Sequence, residues 1–323
     1  MIVLGIESSC DETSAAIVVD GKQVVSEVTH SQISTHQAFG GVVPEIAARE
    51  HLSCIDEVVW KTLQEANLSW SDVQRIAVVN GPGLVSSLLV GITAAKTLAW
   101  SLGIELVSVN HLKAHVCANN LAPESPSPPF VCLLASGGHT QLIHVKSYQE
   151  FILLGESLDD SAGEAFDKVA RLLSLGYPGG PAIQQIANKG NPQAFKLPRA
   201  KVGEFDFSFS GLKTAVLYLL RSLPDDFSRA DVAASFQEVV CQDLADKLIK
   251  ASKLTGCNQM VIAGGVAANS RLRELLALKG EGEFKLFAPP IAYCTDNGAM
   301  VAAAGHLCPE DFGCEFTAFS RSK

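Results

Sequence analysis

Two histidines four positions apart, His111 and His115, are the residues of this sequence best suited to bind a metal ion. If the segment that carries them is helical, both imidazoles project from one face, as joint ligation requires. Asp296 occupies the equivalent place in the second half of the chain, so we expect its carboxylate to complete the site. Two imidazoles and a carboxylate suit iron(II), zinc or manganese, although an H-x-x-x-H pair alone can also be a surface or helix-capping feature.

The histidine pair also invites comparison with the zinc-protease motif H-E-x-x-H. Position 112 is Leu112, so the glutamate base of that motif is missing and the sequence argues against a protease. Asn110 and Asn297 stand beside the expected ligands and could orient them through hydrogen bonds.

Two glycine turns follow predicted strands and could bind a nucleotide. In the run from Ser136 to Thr140, S-G-G-H-T, glycines would let backbone N–H groups approach a phosphate, and hydroxyls would add donors. Gly264-Gly265 opens a predicted helix and could present a flat surface to adenine or ribose, with Asn269 in the helix's first turn. A tight hairpin and a packing turn would explain the same residues without a ligand.

Three carboxylates are candidates for a role at the site. Asp11 and Glu12 lie in the first predicted hairpin, either as ordinary turn residues or as groups that orient a nucleophile or a metal-bound water. Asp167 lies in a predicted helix beside Lys168, where an exposed ion pair is the alternative to a substrate contact. Gly180 lies in a proline-glycine turn whose lack of side chains could let a ligand approach closely.

The composition indicates a compact intracellular protein. The chain has 323 residues, of which 47% are hydrophobic and 18% charged, enough for two lobes with cores of their own. A net charge of −9 repels phosphate backbones, so a nucleic acid would need a local basic patch or a basic partner. We expect no membrane span and no signal peptide, and we expect the nine cysteines, none in a C-x-x-C pair, to be free thiols in the cytoplasm.

The two halves of the chain follow one plan of predicted elements. Each half has three strands around a polar turn, then a strand, a glycine turn, a helix and a last strand. The predicted strands lie at 2–7, 15–20, 23–30, 76–80 and 105–109, and at 130–135, 141–145, 151–154, 260–263 and 284–287. The last strand of each half leads to His111 or to Asp296. We therefore expect an α/β protein of two duplicated lobes around a central cleft, although chance could align two such stretches.

The lobe boundaries can be placed from the same pattern. We expect a first lobe at 1–110 and a second at 111–295, with an insert near 190–210. A helix near 296–323 is expected to pack back on the first lobe, with a tail after Pro309 that frays. Residues 43–67 form a predicted amphipathic helix.

Seven strings of the sequence, taken together, resemble the bacterial tRNA N6-adenosine threonylcarbamoyltransferases, the TsaD family. They begin at Glu7 (ESSCDET), Asn80 (NGPG), Asn110 (NHLKAH), Ser136 (SGGHT), Gly163 (GEAFDK), Gly264 (GGVAAN) and Thr295 (TDNG). The resemblance extends from residue 1 to about residue 306, with no departure at a functional string.

The resemblance implies the actin-like ATPase fold of sugar kinases and heat-shock chaperones. It also implies an acyltransferase that moves the threonylcarbamoyl group of threonylcarbamoyl-AMP to the N6 amine of adenosine 37 in tRNAs that read codons beginning with adenine. The implied metal ligands are His111, His115 and Asp296, usually with iron. The implied substrate contacts are Leu134, Ala135, Ser136, Gly137, Gly138, Asp167, Gly180 and Asn269.

By the same resemblance, the partners are tRNA, an inactive TsaB-like paralogue and a small TsaE-like ATPase. We expect the paralogue to contact residues 43–67 through Ile55 and Val59, although the same segment could pack on the core instead. From the charge pattern we expect tRNA to contact residues 185–221, which hold six basic residues against two acidic ones, although an ordinary solvated loop would explain the same charges. These six are Lys189, Lys196, Arg199, Lys201, Lys213 and Arg221. A small-molecule kinase of the same fold would leave the histidine pair unexplained, and a non-catalytic scaffold paralogue would not need intact metal ligands.

Overall fold

The computed structural model describes residues 1–39, 41–224 and 226–320, and the chain forms two compact units. Unit 1 comprises Met1–Ser125 and Pro289–Lys323, and unit 2 comprises Pro126–Ala288. In chain order the strands are β1 (Ile2–Glu7), β2 (Glu12–Val19), β3 (Gln23–Ser31), β4 (Arg75–Gly81), β5 (Glu105–Asn110), β6 (Phe130–Ala135), β7 (Thr140–Ser147), β8 (Glu150–Glu156), β9 (Gln259–Ala263) and β10 (Lys285–Phe287). The helices are α1 (Ile33–Gln37), α2 (Pro44–Glu65), α3 (Val85–Leu102), α4 (His111–Cys117), α5 (Ala162–Leu172), α6 (Gly179–Ala187), α7 (Ser210–Ser222), α8 (Arg229–Thr255), α9 (Ser270–Gly280) and α10 (Gly298–Leu307).

Each unit is built on a five-stranded sheet, and the two sheets have the same strand order. The order is β3-β2-β1-β4-β5 in unit 1 and β8-β7-β6-β9-β10 in unit 2. In unit 1, β1 pairs antiparallel with β2 and parallel with β4. In unit 2, β6 pairs antiparallel with β7 and parallel with β9. The repeated order confirms the α/β class and the common plan of the two halves.

The central strands are continuous apolar runs because both of their faces are covered. Val3, Leu4 and Ile6 of β1 are fully buried, as are Leu133 and Leu134 of β6. A strand with only one covered face would alternate apolar and polar residues instead. Burying each such aliphatic side chain contributes about 1.5–3 kcal/mol, so these strands hold each core together.

The unit boundaries differ from those expected at residues 110 and 295. The chain stays in unit 1 as far as Ser125, and it returns to unit 1 at Pro289. The physical reason is packing: α4 contacts β4, β5 and α10, so it cannot belong to a separate lobe.

Helix α10 packs on β1, β2 and β4, as expected for the C-terminal helix. It ends at Leu307, however, and the expectation of a helix as far as 323 is wrong for the residues described up to 320. Pro309 explains the end of the helix, because its ring and missing N–H prevent helical continuation.

As far as residue 320, the segment after α10 docks on unit 1 instead of fraying. The Ser108 amide donates to the Asp311 carbonyl at 2.8 Å, and the Phe319 amide donates to the Asn80 carbonyl at 3.0 Å. The Lys96 ammonium donates to the backbone oxygen of Phe316 at 2.6 Å. These bonds tie the tail to β4, β5 and α3.

Helices α2 and α3 pack on each other and cover one face of the first sheet. Ile55 and Val59 of α2 are each only 4% exposed, so they are core residues and the expectation that they contact a partner is wrong. The outer face of α2 instead exposes Leu52 and Trp60, at 71% and 57%. Helix α3 has the length and mean hydropathy, 1.4, of a membrane span, but the core helix of a soluble protein meets the same criteria.

The expected insert is a strap, residues 191–209, that lies along α8. Apart from one bridge between Phe207 and Ser157, it has neither helix nor strand. It is tied to α8 at successive positions along both segments. The contacts are Asn191 with Asp231 (2.7 Å), Phe195 with Ser235 (3.2 Å), Arg199 with Asp243 (3.2 Å) and Asp246 (2.8 Å), and Asp206 with Lys247 (2.6 Å).

Candidate functional site

The two histidines are placed by the end of β5 and the start of α4. Asn110 is the N-cap of α4, and its side-chain oxygen accepts hydrogen bonds from the amides of Leu112 (2.9 Å) and Lys113 (3.3 Å). This cap starts the helix at His111, so His115 lies one turn further along the same face. The expected helical spacing of the pair is therefore present.

Asp296 reaches the histidines because α10 lies directly against β1 and β2. A Cβ atom on Gly298 would lie 2.6 Å from the backbone of Ala15, and one on Gly5 would lie 2.3 Å from the Gly298 oxygen. Asn297 caps α10 by accepting a hydrogen bond from the Met300 amide at 2.7 Å. Two glycines and one cap thus fix the backbone on which Asp296 stands.

The side chains of His111, His115 and Asp296 converge. Their candidate ligand atoms all lie within 4.8 Å of one another. The Asp296 Oδ1 atom is 3.6 Å from His111 Nε2 and 3.1 Å from His115 Nε2. The expectation that Asp296 comes from the opposite lobe is wrong, because all three residues belong to unit 1.

His115 fits a ligand role better than a role in the core. The residue is 1% exposed. Its Nε2 atom lies 3.1 Å from Asp296 Oδ1 without the geometry of a hydrogen bond, and its Nδ1 atom has no hydrogen-bond partner within the described residues. A buried polar group left without a hydrogen bond costs about 1–3 kcal/mol, which a coordinated ion would offset. Two imidazoles and a carboxylate with further positions open match the donor set of catalytic metal sites.

His111 has a buried carboxylate behind it. Its Nδ1 atom is 3.3 Å from Glu7 Oε2 and 3.2 Å from Ser9 Oγ. Burial opposes protonation of the ring, but the carboxylates of Asp296 and Glu7 raise the pKa of His111 to about 9. A metal ion at Nε2 would take the place of that proton.

Asp11 and Glu12 lie close enough to feel the charge of Asp296. Burial raises the pKa of Asp11, and Asp296 adds to that rise. Burial and then the Asp11 carboxylate raise the pKa of Glu12 to about 8. Glu12 Oε1 accepts a hydrogen bond from Ser31 at 2.8 Å, whereas Oε2 has no partner within the described residues.

The S-G-G-H-T turn of unit 2 is braced from the start of α5. The Ser161 hydroxyl donates to the Gly137 oxygen at 2.6 Å, and the Gly163 amide donates to the Ser136 oxygen at 3.2 Å. A Cβ atom on Gly163 would lie 2.4 Å from that oxygen, so only glycine permits this contact. A Cβ atom on Gly137 or Gly138 would meet nothing within 4 Å, which leaves their backbone open to a ligand.

The other expected substrate residues have different surroundings. Leu134 and Ala135 are buried at the end of β6, so a ligand could reach only their backbone. Asp167 accepts a hydrogen bond from the Gly179 amide at 2.7 Å, which holds the turn beside Gly180. Space around a Cβ atom on Gly180 is open.

Asn269 is the N-cap of α9. Its oxygen accepts hydrogen bonds from the amides of Arg271 (3.0 Å) and Leu272 (3.2 Å). Its amide group donates to Gln237 at 2.9 Å. The side chain therefore has a structural role at the end of the Gly264-Gly265 turn, whether or not it also contacts a substrate.

Comparison with known proteins identifies the family. The sequence model described as "TsaD: tRNA N6-adenosine threonylcarbamoyltransferase" matches residues 23–303. The chain belongs to this family. A TsaD relative from Clostridium botulinum (strain 657) is 50% identical over 312 residues, covering 94% of this chain and 92% of the relative. One from Symbiobacterium thermophilum is 52% identical over 310 residues, covering 94% and 91%. Both carry the name tRNA N6-adenosine threonylcarbamoyltransferase.

Solved structures confirm the actin-like ATPase fold expected for a TsaD protein. Component A of (R)-2-hydroxyglutaryl-CoA dehydratase from Acidaminococcus fermentans has a TM-score of 0.56 and 15% identity, and the match covers 95% of this chain and 98% of that chain. HypF from T. kodakarensis has a TM-score of 0.63 and 15% identity, covering 94% and 46%. At such identities the likeness concerns the fold alone. Membership of the TsaD family implies a divalent metal, and its name implies a tRNA substrate.

Several residues that shape these sites have no role that local sequence pattern reveals. Glu7 and Ser9 lie behind His111, and Ser161 and Gly163 brace the turn of unit 2. The signal for Glu7 was its place at the end of an otherwise apolar strand, where a charged residue is rarely buried without a partner.

Proposed function

We propose that this protein transfers the threonylcarbamoyl group from threonylcarbamoyl-AMP to the N6 amine of adenosine 37 in tRNAs that read codons beginning with adenine. The products are N6-threonylcarbamoyladenosine and AMP. The main support is about 50% identity to relatives of that name over 94% of the chain, together with the cluster of His111, His115 and Asp296.

His111, His115 and Asp296 would hold one divalent metal, and by resemblance we assign it as Fe²⁺, although the donor set also suits Zn²⁺ or Mn²⁺. A bound cation supplies positive charge that can hold a phosphate or polarise a carbonyl. The protein's own contribution is to keep the three ligand side chains in place before substrate arrives, through the Asn110 and Asn297 caps.

The adenylate would be bound by unit 2. The open backbone at Gly137 and Gly138 offers N–H donors to the phosphate, with Ser136 beside them. Leu134 and Ala135 would contact the substrate through their backbone. Asp167, Gly180 and Asn269 are the remaining proposed substrate contacts. Because the acyl group is already activated, binding and orientation supply most of the rate enhancement.

The transfer step forms a bond between N6 of adenosine and the carbamoyl carbon, and it breaks the bond from that carbon to the phosphate oxygen. AMP leaves with the bonding electrons, and the N6 nitrogen loses one proton. We assign Asp11 or Glu12, in its ionised form, as the acceptor of this proton. With a pKa of about 8, Glu12 is ionised in only a minor fraction of molecules near neutral pH, and that ionised fraction is a strong enough base to accept the proton. The target base lies in a single-stranded loop, so turning it out requires little unpairing.

We further propose that the protein works in the cytoplasm with a TsaB-like paralogue and a TsaE-like ATPase. Transfer of labelled threonine to tRNA in the reconstituted system, with metal content measured in parallel, tests the whole proposal. His115→Ala should lose bound metal and lower transfer by orders of magnitude, with an unchanged circular dichroism spectrum. His30→Ala, at an exposed surface histidine, is the matched control and should behave as wild type.

Four results would contradict the proposal. Full transfer by metal-stripped enzyme, or full metal occupancy in His115→Ala, would exclude the assigned centre. Phosphorylation of a small molecule without transfer to tRNA would indicate the kinase. Undiminished transfer when this chain is left out would indicate a scaffold.

A further inference from the structure

We propose that Glu7 is a positioning residue that fixes the orientation and tautomer of His111, so that His111 Nε2 is the atom offered to the metal. The inference rests on the proposed metal centre. It adds a residue that contacts neither metal nor substrate and acts only through the histidine.

Glu7 lies in a buried environment that is unfavourable for a carboxylate. It is the last residue of β1, the central strand of unit 1, and it is 0% exposed. An ionised carboxylate in such a place is costly unless hydrogen bonds satisfy it. Within the described part of the chain, its one ion pair is with His111.

Both oxygens of Glu7 face nitrogen atoms. Oε1 accepts a hydrogen bond from the Ser9 amide at 2.5 Å, and Oε2 lies 3.3 Å from His111 Nδ1. The first contact anchors the carboxylate to the turn after β1, so the second oxygen is held toward the ring. Because β1 and β5 run parallel to β4 between them, Glu7 and the start of α4 lie at the same edge of the sheet.

The geometry assigns a tautomer to the metal-bound ring. If Nδ1–H donates to Glu7, the lone pair of the neutral imidazole is on Nε2, which is the nitrogen that faces Asp296 at 3.6 Å. A carboxylate behind a ligating histidine also makes the imidazole a stronger donor to the metal.

Ser9 is the competing acceptor, because its Oγ lies 3.2 Å from the same Nδ1. The two distances are too similar to show whether Glu7 or Ser9 accepts the hydrogen bond from Nδ1, but the strengths of the two hydrogen bonds differ. A hydrogen bond to a carboxylate is about twice as strong as one to a neutral hydroxyl, and losing it would leave the buried Oε2 without a donor. Comparing substitutions of Glu7 and Ser9 therefore shows which residue orients His111.

Glu7→Gln is the informative change, because it keeps the size of the side chain but leaves one oxygen for two N–H donors. Ser9→Ala removes the competing hydroxyl. Glu105→Gln is the matched control, since it removes a carboxylate at the opposite end of β5 from His111. Metal affinity is measured with Zn²⁺ alone, by competition with a chelator on purified protein, before any transfer assay.

Glu7→Gln should weaken Zn²⁺ binding by about 10–100-fold. It should lower the kcat of transfer at saturating metal and leave the KM for tRNA unchanged. Ser9→Ala and Glu105→Gln should stay near wild type. Wild-type affinity in Glu7→Gln, or a loss confined to Ser9→Ala, would overturn the inference.

If Glu7→Gln does not fold, the tautomer of His111 can be measured in the wild-type protein instead. In Zn²⁺-loaded wild-type protein labelled with ¹⁵N-histidine, long-range ¹H–¹⁵N spectra should show His111 protonated at Nδ1 and ligated through Nε2, with assignment from His111→Gln. Ligation through Nδ1 would overturn the positioning role while leaving the metal centre intact. Failure of the wild-type protein to bind Zn²⁺, Fe²⁺ or Mn²⁺ would overturn the centre itself.

Discussion

Glu12 shows how the site can hold a carboxyl group that is neutral near physiological pH. Its side chain is half-buried at the start of β2, among Asp11, Asp296 and Glu7, which all disfavour a further negative charge. One oxygen is satisfied by Ser31 and the other is not. The group is therefore suited to exchanging a proton, and its ionisation should cost stability.

Metal-free Glu12→Gln should be more stable than metal-free wild type near neutral pH. The pKa of Glu12 in the folded protein, about 8, exceeds its ordinary value of 4.5, so between these values the folded state binds more protons than the unfolded state. Its contribution to stability therefore falls as pH rises through that window. The variant's melting temperature should be higher by a few degrees at about pH 7.5 and equal at about pH 4, at roughly 2–4 °C per kcal/mol.

Asp72→Asn provides a control of opposite sign. Hydrogen bonds from Ser69 lower the pKa of Asp72, so its contribution is present above the unfolded pKa and is lost in acid. This variant should melt below wild type at neutral pH and approach it as the pH falls. Equal melting curves for Glu12→Gln and wild type across the whole range would remove the case for a perturbed Glu12.

Among the elements, helix α2 has one face buried in the core of unit 1 and one face exposed to solvent. Its inward face holds Ile55 and Val59, whereas Leu52 and Trp60 are exposed on the outward face. The periodicity of an amphipathic helix predicts that it has an apolar and a polar face, but it does not show which residues contact a partner. The proposed contact with the TsaB-like paralogue therefore belongs to the outward face.

The double variant Leu52→Asp/Trp60→Asp should abolish co-purification with the paralogue while keeping the protein folded. Removing a tryptophan anchor from an interface commonly costs about 2 kcal/mol or more. Ile55→Asp is the contrast, because a charge buried in the α2 core should unfold unit 1. Wild-type affinity of the double variant, measured by titration calorimetry, would exclude this face.

The basic residues in and beside the strap differ in whether they form ion pairs within the protein. Arg199 of the strap is paired with Asp243 and Asp246, and Lys213 of the neighbouring helix α7 is paired with Asp160, so these two cations mainly hold the fold together. Lys196 and Lys201 are exposed, and no ion pair is assigned to either within the described residues. The proposed tRNA contact is therefore tested first at Lys196 and Lys201.

Lys196→Glu/Lys201→Glu should weaken tRNA binding by roughly tenfold at moderate salt and reduce the salt slope by about one for each lysine that contacts a phosphate. Lys22→Glu/Lys61→Glu changes the net charge equally on unit 1 and should leave binding near wild type. Filter binding across a salt series distinguishes them. Equal losses in both pairs would indicate net charge rather than a docking surface.

For the whole molecule, the sequence was informative where local pattern decides the structure. Strand positions, the four-residue spacing of His111 and His115, and the glycine turns follow from hydrophobic periodicity and turn chemistry. The unit boundaries could not be read in this way, because they depend on where α4 and Pro289 pack. The role of Glu7 was hidden for the same reason: its partner lies more than a hundred positions away.

The division into units predicts how fragments behave. Fragment 126–288 contains all five strands of its sheet together with α5 to α9, and it should fold alone with a cooperative thermal transition. Fragment 1–125 lacks α10, which covers β1 and β4, and should not fold cooperatively. Joining Ser125 to Pro289 through a flexible linker should restore folding. A cooperative transition in fragment 1–125 alone would contradict this division.

The discontinuity of unit 1 has a consequence for synthesis on the ribosome. Domains usually fold in the order in which they are translated. Here Asp296 and α10 are made only after all of unit 2, so the nascent chain must carry the first sheet without its covering helix α10 while the second unit emerges complete. During that interval the apolar surface awaiting α10 is open to chaperones. The proposed metal could therefore meet all three of its ligands only once translation has passed Asp296.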